Sequence, residues 1–244
     1  MDFQFFGETI LILSAGIPLT LTLASLSVFI GIFIAIGIAS ARLWGPVWMQ
    51  KIARFYLFVF RGTPLLVQIF IIYYGLGQFE AIRDSAAWIV LREPFWCAVL
   101  ALALNTGAYG SEIVRGGLLS VPQGQIEAAR ACGMSPRLGF MRIILPQAVR
   151  QALPAYGNEL ILLCKATSLA SIITLMEITG LAAKLISETY RVIEVFAAAG
   201  LIYLAINFIL TRIVSFTDYR LTAHLRPASE VLLEIDENLT GANP

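Results

Sequence analysis

The chain has 244 residues, of which 58% are hydrophobic and only 14% are charged, and its mean hydropathy is +0.80. Soluble domains are usually about one quarter charged, so this composition excludes a water-soluble globular protein and indicates a protein of the lipid bilayer. The formal net charge of +1 excludes nucleic acid as the main partner, because the chain has no basic stripe to displace counterions from phosphates.

Five apolar segments follow one another along the chain, each near the ~20 residues that a helix needs to cross ~30 Å of hydrocarbon. Before the first segment, apolar side chains over residues 3–13 predict a short helix at the membrane surface, which Gly16 and Pro18 separate from the first span. Pro64 is expected to kink the second span. The predicted spans are residues 18–41, 55–76, 94–113, 153–176 and 195–213.

Lysine and arginine are unevenly distributed among the connections, and short basic connections stay in the cytoplasm. Residues 115–150 contain five arginines against the single acid Glu127, and the stretch after the first span holds Arg42, Lys51 and Arg54. The other connections are balanced or slightly acidic, at residues 77–93 and 180–194.

These features predict an all-α membrane protein, a polytopic bundle of five transmembrane helices over residues 1–225. An odd number of spans puts the two termini on opposite sides, and the basic connections place the N-terminus outside and the C-terminus in the cytoplasm. Residues 226–244 are polar and acidic and predict a loose cytoplasmic tail.

The connection between the third and fourth spans, residues 116–150, is long for a loop and is patterned rather than featureless. Pro122 is expected to start a helix that Gly133 ends, because glycine permits a sharp turn. A second helix is expected to start at Ser135-Pro136 and to be broken by Pro146. Two such helices would form a compact cytoplasmic knob, although the same pattern also fits an amphipathic loop lying on the membrane surface.

A sequence signature within this connection favours the two-helix knob over a loop lying on the membrane surface. It resembles the EAA motif of importer permeases of the ATP-binding-cassette type, which implies the type I importer permease fold. In that family the loop is a coupling helix that sits in a groove of the ATPase subunit. The matching residues, implied to be the ATPase-coupling site, are Glu127, Ala128, Ala129, Gly133, Ile143, Leu145 and Pro146.

Three further stretches narrow the resemblance to permeases for polar amino acids, the group that includes the histidine, glutamine and arginine systems. Residue 166 departs from the pattern, because many members of that group carry an acid or an amide where this chain has Ala166. The stretches are residues 60–68, residues 108–117, and Asn158-Glu159 followed by residues 165–169.

Two charged residues in the fourth predicted span, Glu159 and Lys165, are costly in hydrocarbon, at about 2.5–3.5 kcal/mol each near the bilayer centre. Each is expected to face a cavity or a partner, and together with Thr167 and Ser168 they are candidates to line the path of a zwitterionic solute. Alternatively, Lys165 pairs with a carboxylate of another helix or subunit and only holds the bundle together.

Gln68 and Asn105 are secondary candidates for the substrate pathway. Polar side chains inside spans also bond across helices as structural contacts, so both interpretations are kept for these two residues.

The chain lacks the sequence features of a nucleotide-binding or catalytic protein. It contains no Gly-Lys dipeptide, hence no phosphate-binding P-loop, and its three cysteines lack metal-ligand spacing. We therefore expect no enzymatic activity, no metal and no cofactor of its own, with ATP bound by a partner subunit.

The resemblance implies several partners in a bacterial inner membrane. These are cytoplasmic ATPase subunits, a second identical or homologous permease subunit, and an extracytoplasmic solute-binding protein. The expected cargo is a polar, basic amino acid or a derivative such as an opine. The alternative is a self-sufficient secondary transporter or channel, but that class predicts internal repeats, and no segment of the chain is repeated.

Overall fold

The computed structural model describes residues 3–222, and these residues are almost entirely helical. The α-helices are α1 (Phe3–Ser14), α2 (Ile17–Trp44), α3 (Val47–Gly62), α4 (Leu65–Phe70), α5 (Glu80–Arg83), α6 (Trp88–Leu91), α7 (Pro94–Leu119), α8 (Gln123–Ala131), α9 (Pro136–Gly139), α10 (Leu145–Ala166), α11 (Ile178–Thr189) and α12 (Val192–Thr222). Two π-helical turns, Ile71–Gly75 and Phe140–Ile144, and two 3-10 segments, Leu76–Gln78 and Thr167–Ile173, continue some of these helices. The predicted tail over 226–244 lies outside the described residues.

Helix α7 is central, because it packs along α2 on one side and α10 on the other. Small residues allow these close approaches: a Cβ added to Gly107 would lie 2.7 Å from Ile34 Cγ2 of α2, and one added to Gly117 would lie 2.6 Å from the Ala148 carbonyl oxygen of α10. Small residues at helix contacts are the usual means of tight packing in lipid, where no hydrophobic force brings helices together.

A second core forms where α1, α11 and α12 meet. Its buried side chains include Leu13 of α1, Ile178 of α11 and Val195 of α12. The sequence-based assignment of residues 180–194 to a simple connection is wrong, because α11 occupies most of that stretch. The apolar residues of α11 face this core, while its exposed side carries Lys184 and Glu188, whose charges concealed the helix in a search for long apolar runs.

The predicted second span, residues 55–76, is not a single helix. The chain bends by 107° between α3 and the stretch from Leu65 to Gln78. The predicted kink at Pro64 is confirmed and is sharp, since Thr63 and Pro64 are both extended and start a new helix. Lys51 and Arg54, expected in a loop, belong to α3.

The prediction that Pro146 breaks a helix is wrong. Pro146 lies in the first turn of α10, and the helical path runs without a break from Pro136 to Ile173. A π-helical turn over Phe140–Ile144 immediately precedes it. We attribute the tolerance of Pro146 to that turn, because a widened turn accommodates a residue that cannot donate a backbone hydrogen bond.

Three helical stretches of the described chain are long and apolar enough to cross a membrane: Phe3–Trp44, Pro94–Leu119 and Val192–Arg220. The number rises to the predicted five only if each of two bent pairs crosses as one unit. The first stretch contains α1 and α2, which are separated at residues 15–16, as the sequence predicts.

Candidate functional site

The connection between α7 and α10 folds into two short helices, α8 and α9, joined by a tight turn. Gly133 has a φ of +74°, in the left-handed region that favours glycine. Its N–H donates to the Arg130 carbonyl at 2.9 Å, and the Met134 N–H donates to the Ala129 carbonyl at 3.1 Å. These two bonds form a Schellman motif, so the predicted termination of a helix by Gly133 is confirmed.

The start of α9 also matches the prediction. Ser135 is its N-cap, with its Oγ accepting a bond from the Leu138 N–H at 3.4 Å, and Pro136 is the first helical residue. Both features leave fewer backbone donors unsatisfied at the helix start.

The three residues of the EAA signature point in different directions. Glu127 and Ala128 are exposed, whereas Ala129 is only 8% exposed and faces Gly139 of α9. The small size of Ala129 therefore serves the packing of α8 on α9. Of the two alanines, Ala128 is the one on the outer surface, where a partner could approach closely.

The second half of the signature lies inside a continuous helix. Ile143 belongs to the π-helical turn and Leu145 and Pro146 to the first turn of α10, and all three are half-buried. Gln147 follows, and its Nε2 donates to Gln125 Oε1 of α8 at 2.5 Å. This hydrogen bond joins a side chain of α8 to one of α10.

A cleft of about 790 Å³ opens beside this loop, between α8, α10 and the end of α12. Its walls combine apolar surface with polar side chains, which include Gln125, Arg142, Gln147, Arg150 and Asp218. Helix α8 packs mainly on α9 and on the π-helical turn that follows it, so within the described chain it stands out from the bundle.

On α10, the exposed face carries both Asn158 and Lys165. These two residues and Leu162 between them are exposed at helical spacing, so they share one face. Within residues 3–222, no carboxylate lies within ion-pair distance of Lys165, so neither a solute nor a carboxylate of another subunit competes with a partner in this part of the chain.

Glu159 is directed toward α7 and away from the face of Lys165. It is half-buried, and its Oε1 accepts a hydrogen bond from Thr106 Oγ1 at 3.1 Å. The structure therefore separates the two charged residues of α10, as their six-residue spacing predicts.

Thr167 and Ser168 bond to their own helix. Thr167 is fully buried and its Oγ1 donates to the Cys164 carbonyl at 2.7 Å, while Ser168 Oγ donates to the Lys165 carbonyl at 2.7 Å. Ser168 remains partly exposed beside Lys165, whereas Thr167 has no open surface.

Gln68 and Asn105 meet at the bend between α3 and α4. Gln68 Nε2 donates to the carbonyls of Phe60 and Thr63 at 2.9 and 3.1 Å, and Asn105 Nδ2 donates to Gln68 Oε1 at 3.0 Å. Carbonyls at the end of a helix have no intrahelical partner. The two side chains supply those partners and hold the sharp bend against α7. This arrangement favours a structural contact across helices over a place in the substrate pathway for Gln68 and Asn105.

Glu177 is a further buried acid, which no sequence motif predicts, and it lies fully buried between the 3-10 segment and α11. Its carboxylate accepts bonds from the Thr179 and Gly180 N–H groups, each at 2.9 Å, and from Tyr203 Oη at 2.7 Å. It therefore caps α11 and joins it to α12. The only feature of the sequence that indicates this cap is an acid two residues before a Thr-Gly pair, and this pattern is not specific.

A family model described as "Binding-protein-dependent transport system inner membrane component" matches residues 27–223. The chain is 61% identical over 220 residues to an octopine transport system permease protein of Rhizobium meliloti, covering 90% of each chain. It is 52% identical over 227 residues to a nopaline transport system permease protein of Agrobacterium fabrum, covering 93% of this chain and 94% of the relative.

The fold is similar to that of a solved structure described as the crystal structure of an amino acid ABC transporter with histidines. The TM-score is 0.80 at 34% identity, over 90% of this chain and 99% of the solved one. The arrangement of helices around α7 is therefore shared over nearly the whole length of the solved chain.

Proposed function

Because the chain belongs to the family of binding-protein-dependent transport system inner membrane components, we propose that it is the permease subunit of an importer for opine-type derivatives of basic amino acids. The ATP-binding-cassette permease role follows from the family. The choice of cargo rests on the octopine and nopaline permeases, which the chain matches over nine tenths of its length. The single structural observation that carries the proposal is the exposed Glu127–Ala128 surface of α8.

The proposed coupling works through that surface. Glu127 and Ala128 are exposed on a short helix that stands out from the bundle, and α8 is tied to α10 by the Gln125–Gln147 hydrogen bond. A separate ATPase subunit that bound this surface and moved would displace α10 with it. ATP would be bound and hydrolysed by that partner, and the permease itself would need no cofactor.

The proposed solute path follows the exposed face of α10. A lysine exposed within a predicted span needs an anionic partner or water, because an unpaired charge is costly in hydrocarbon. Opines carry a carboxylate in addition to that of the parent amino acid, so Lys165 is suited to contact one of their carboxylates. Asn158 lies about two turns before it on the same face of α10, and Ser168 lies beside it in the 3-10 segment that follows; both would add neutral hydrogen-bonding groups.

Glu159 is assigned to the guanidinium end of the same solute. Its carboxylate already accepts one bond from Thr106 and retains further acceptor capacity. Reaching the path would require a rotation of its side chain away from α7. Gln68, Asn105 and Thr167 are not assigned a direct contact, because their hydrogen bonds are made to the protein itself.

The complete transporter in this proposal contains two permease subunits, identical or homologous, in a bacterial inner membrane. Five crossings are too few to enclose a solute path, and the exposed face of α10 would meet the same face of the second subunit. The N-terminus would lie outside, and the connection over residues 116–150, here called the coupling loop, would lie inside, where the ATPases would bind. A solute-binding protein would deliver the cargo from outside.

Purification of the complex from its native membrane, followed by reconstitution, tests the proposal. An ATPase subunit should travel with the permease, and labelled octopine should accumulate in vesicles only with ATP and the binding protein present. Gly133→Leu should abolish the uptake, because the +74° φ of Gly133 is strained for any L side chain. Uptake without an ATPase, or full coupled uptake by the Gly133→Leu complex, would refute it.

A further inference from the structure

Several arginines converge on one carboxylate where the ends of α2, α3 and α7 meet. Glu112 of α7 pairs with Arg42 of α2 and, at 2.9 Å, with Arg115 of its own helix. Arg61 of α3 approaches the same carboxylate at 3.6 Å and lies 5.3 Å from the centre of the Tyr109 ring.

Positive charge exceeds negative charge at this place. Arg54 lines the same shallow depression as Arg42 and Arg61, and its Nη2 donates to the neutral Gln50 at 3.2 Å. Four arginines, here called the arginine cluster (Arg42, Arg54, Arg61 and Arg115), therefore face one acid, for a net charge of 4 − 1 = +3. In the described part of the chain, Glu112 is the only carboxylate paired with them.

The depression is large enough for a polar head group and is open to its surroundings. Its volume is about 470 Å³, and the side chain of Arg61 is 43% exposed. Arginines in a membrane protein with this much uncompensated charge require an anion or bulk water around them, because isolated charges are costly at low dielectric.

The neighbouring surface of α3 is apolar and exposed. Ile52, Phe55 and Phe58 are 59%, 68% and 77% exposed and recur every three residues, so they share one side of the helix. Phe58 also lines the depression itself. An acyl chain lying along these side chains would place its head group at Arg54 and Arg61, which border the apolar side of α3.

We propose that the arginine cluster is a binding site for the phosphate head group of an anionic phospholipid, whose acyl chain lies on Phe55 and Phe58. Basic pockets between transmembrane helices are suited to anionic lipid head groups. Arg54, which bonds only to the neutral Gln50 in the described chain, and the exposed Arg61, which is farther from Glu112 than Arg115 is, provide the contacts to the head group. The apolar border favours a lipid over a free phosphate ion, which would gain nothing from exposed phenylalanines. The site is separate from the coupling loop and from Lys165.

The test uses the complete transporter complex, delipidated in detergent and titrated with dioleoyl phosphatidylglycerol or dioleoyl phosphatidylcholine under native mass spectrometry. The wild-type complex should bind phosphatidylglycerol preferentially. Arg54→Gln with Arg61→Gln should weaken this binding about thirtyfold, from ~1 kcal/mol for each basic residue near an anionic surface. The control, Arg83→Gln with Arg92→Gln, removes two arginines elsewhere that pair with Glu80 and Glu93.

Each result decides the question. Loss of the preference in the first variant but not in the control supports the site, provided that both complexes elute and unfold as the wild type does. If the first variant is misassembled, Arg54→Lys with Arg61→Lys replaces it and should retain most of the preference. Equal binding of the two lipids by the wild type, or an unchanged preference in the first variant, overturns the proposal. Displacement of the lipid by an equal concentration of inorganic phosphate assigns the cluster to a free anion instead.

Discussion

Lys165 and Glu159 lie on the same helix but in different surroundings. Lys165 is exposed and has no ion-pair partner among residues 3–222, whereas Glu159 bonds to Thr106 of α7. A single helix thus carries one charge on its exposed face and another that is bonded to a neighbouring helix. The sequence predicts this separation from spacing alone, but it gives no sign of Thr106 as the partner, because that contact depends on how α7 packs against α10.

Lys165→Met is expected to lower solute uptake by at least about thirtyfold, because removing one partner of a desolvated charge pair costs ~2 kcal/mol or more. Uptake of labelled octopine into vesicles measures it, with assembly checked by the amount of ATPase retained. Lys184→Met is the matched control, since Lys184 is also exposed and lies on α11. Normal uptake by the Lys165→Met complex would remove Lys165 from the pathway.

At the scale of helices, α7 owes its central position to glycines at its contacts. A Cβ on Gly117 would lie 2.6 Å from the Ala148 carbonyl oxygen, whereas one on the adjacent Gly116 would meet nothing within 4 Å. A side chain at Gly117 would therefore clash with α10, whereas one at the neighbouring Gly116 would not. Comparing the same substitution at the two positions distinguishes the effect of packing between α7 and α10 from the intrinsic helix propensity of the new residue.

Gly117→Ala is expected to destabilise the protein by about 1–3 kcal/mol, because α7 and α10 must move apart. Gly116→Ala should be neutral or stabilising by up to ~1 kcal/mol, because alanine favours the helix over glycine. Thermal unfolding of both purified variants in the same detergent measures the difference. Equal effects of the two substitutions would show that α7 and α10 are not packed as described.

The end of α2 also contacts the coupling loop. The Trp44 ring lies 6.2 Å from the Phe140 ring in an edge-to-face arrangement, and Trp44 lines a cavity of about 260 Å³ between α8 and α9. Helix α2 packs along α7 for most of its length. Trp44 therefore gives the coupling loop a second connection to the bundle, beside its covalent continuation into α10.

Trp44→Ala is expected to reduce ATP-driven uptake roughly two- to tenfold while the ATPase stays bound, since such an aromatic pair contributes ~0.5–1.5 kcal/mol. Phe140→Ala in the same chain should cause little further loss if the two rings act as a pair. Trp48→Ala is the control, because Trp48 is as exposed, at 62% against 63%. Independent, additive losses at Trp44 and Phe140 would contradict the connection.

Across the whole molecule, hydropathy located the long helices, because a bilayer demands long apolar runs whatever their packing. The same approach missed α11, which is short and charged on its outer side. The position of Pro146 inside a continuous helical path is not predictable either, because nothing in the local sequence indicates the π-helical turn before it. The helix–turn–helix of the coupling loop was predictable, because Gly133, Ser135 and Pro136 act through local backbone geometry. The Gln68–Asn105 and Glu177–Tyr203 contacts were not, as they join segments distant in sequence.

In the proposed mechanism, an ATPase acts on this permease through the exposed surface of α8. Ala128→Trp tests it most directly, because Ala128 is exposed and a larger side chain there would block a partner without disturbing the fold. Ala183→Trp on the exposed side of α11 is the control. ATP-driven uptake should be lost in the Ala128→Trp complex, with the permease folded and the ATPase no longer co-purifying. Full ATP-driven uptake with the ATPase still bound would contradict coupling through this surface.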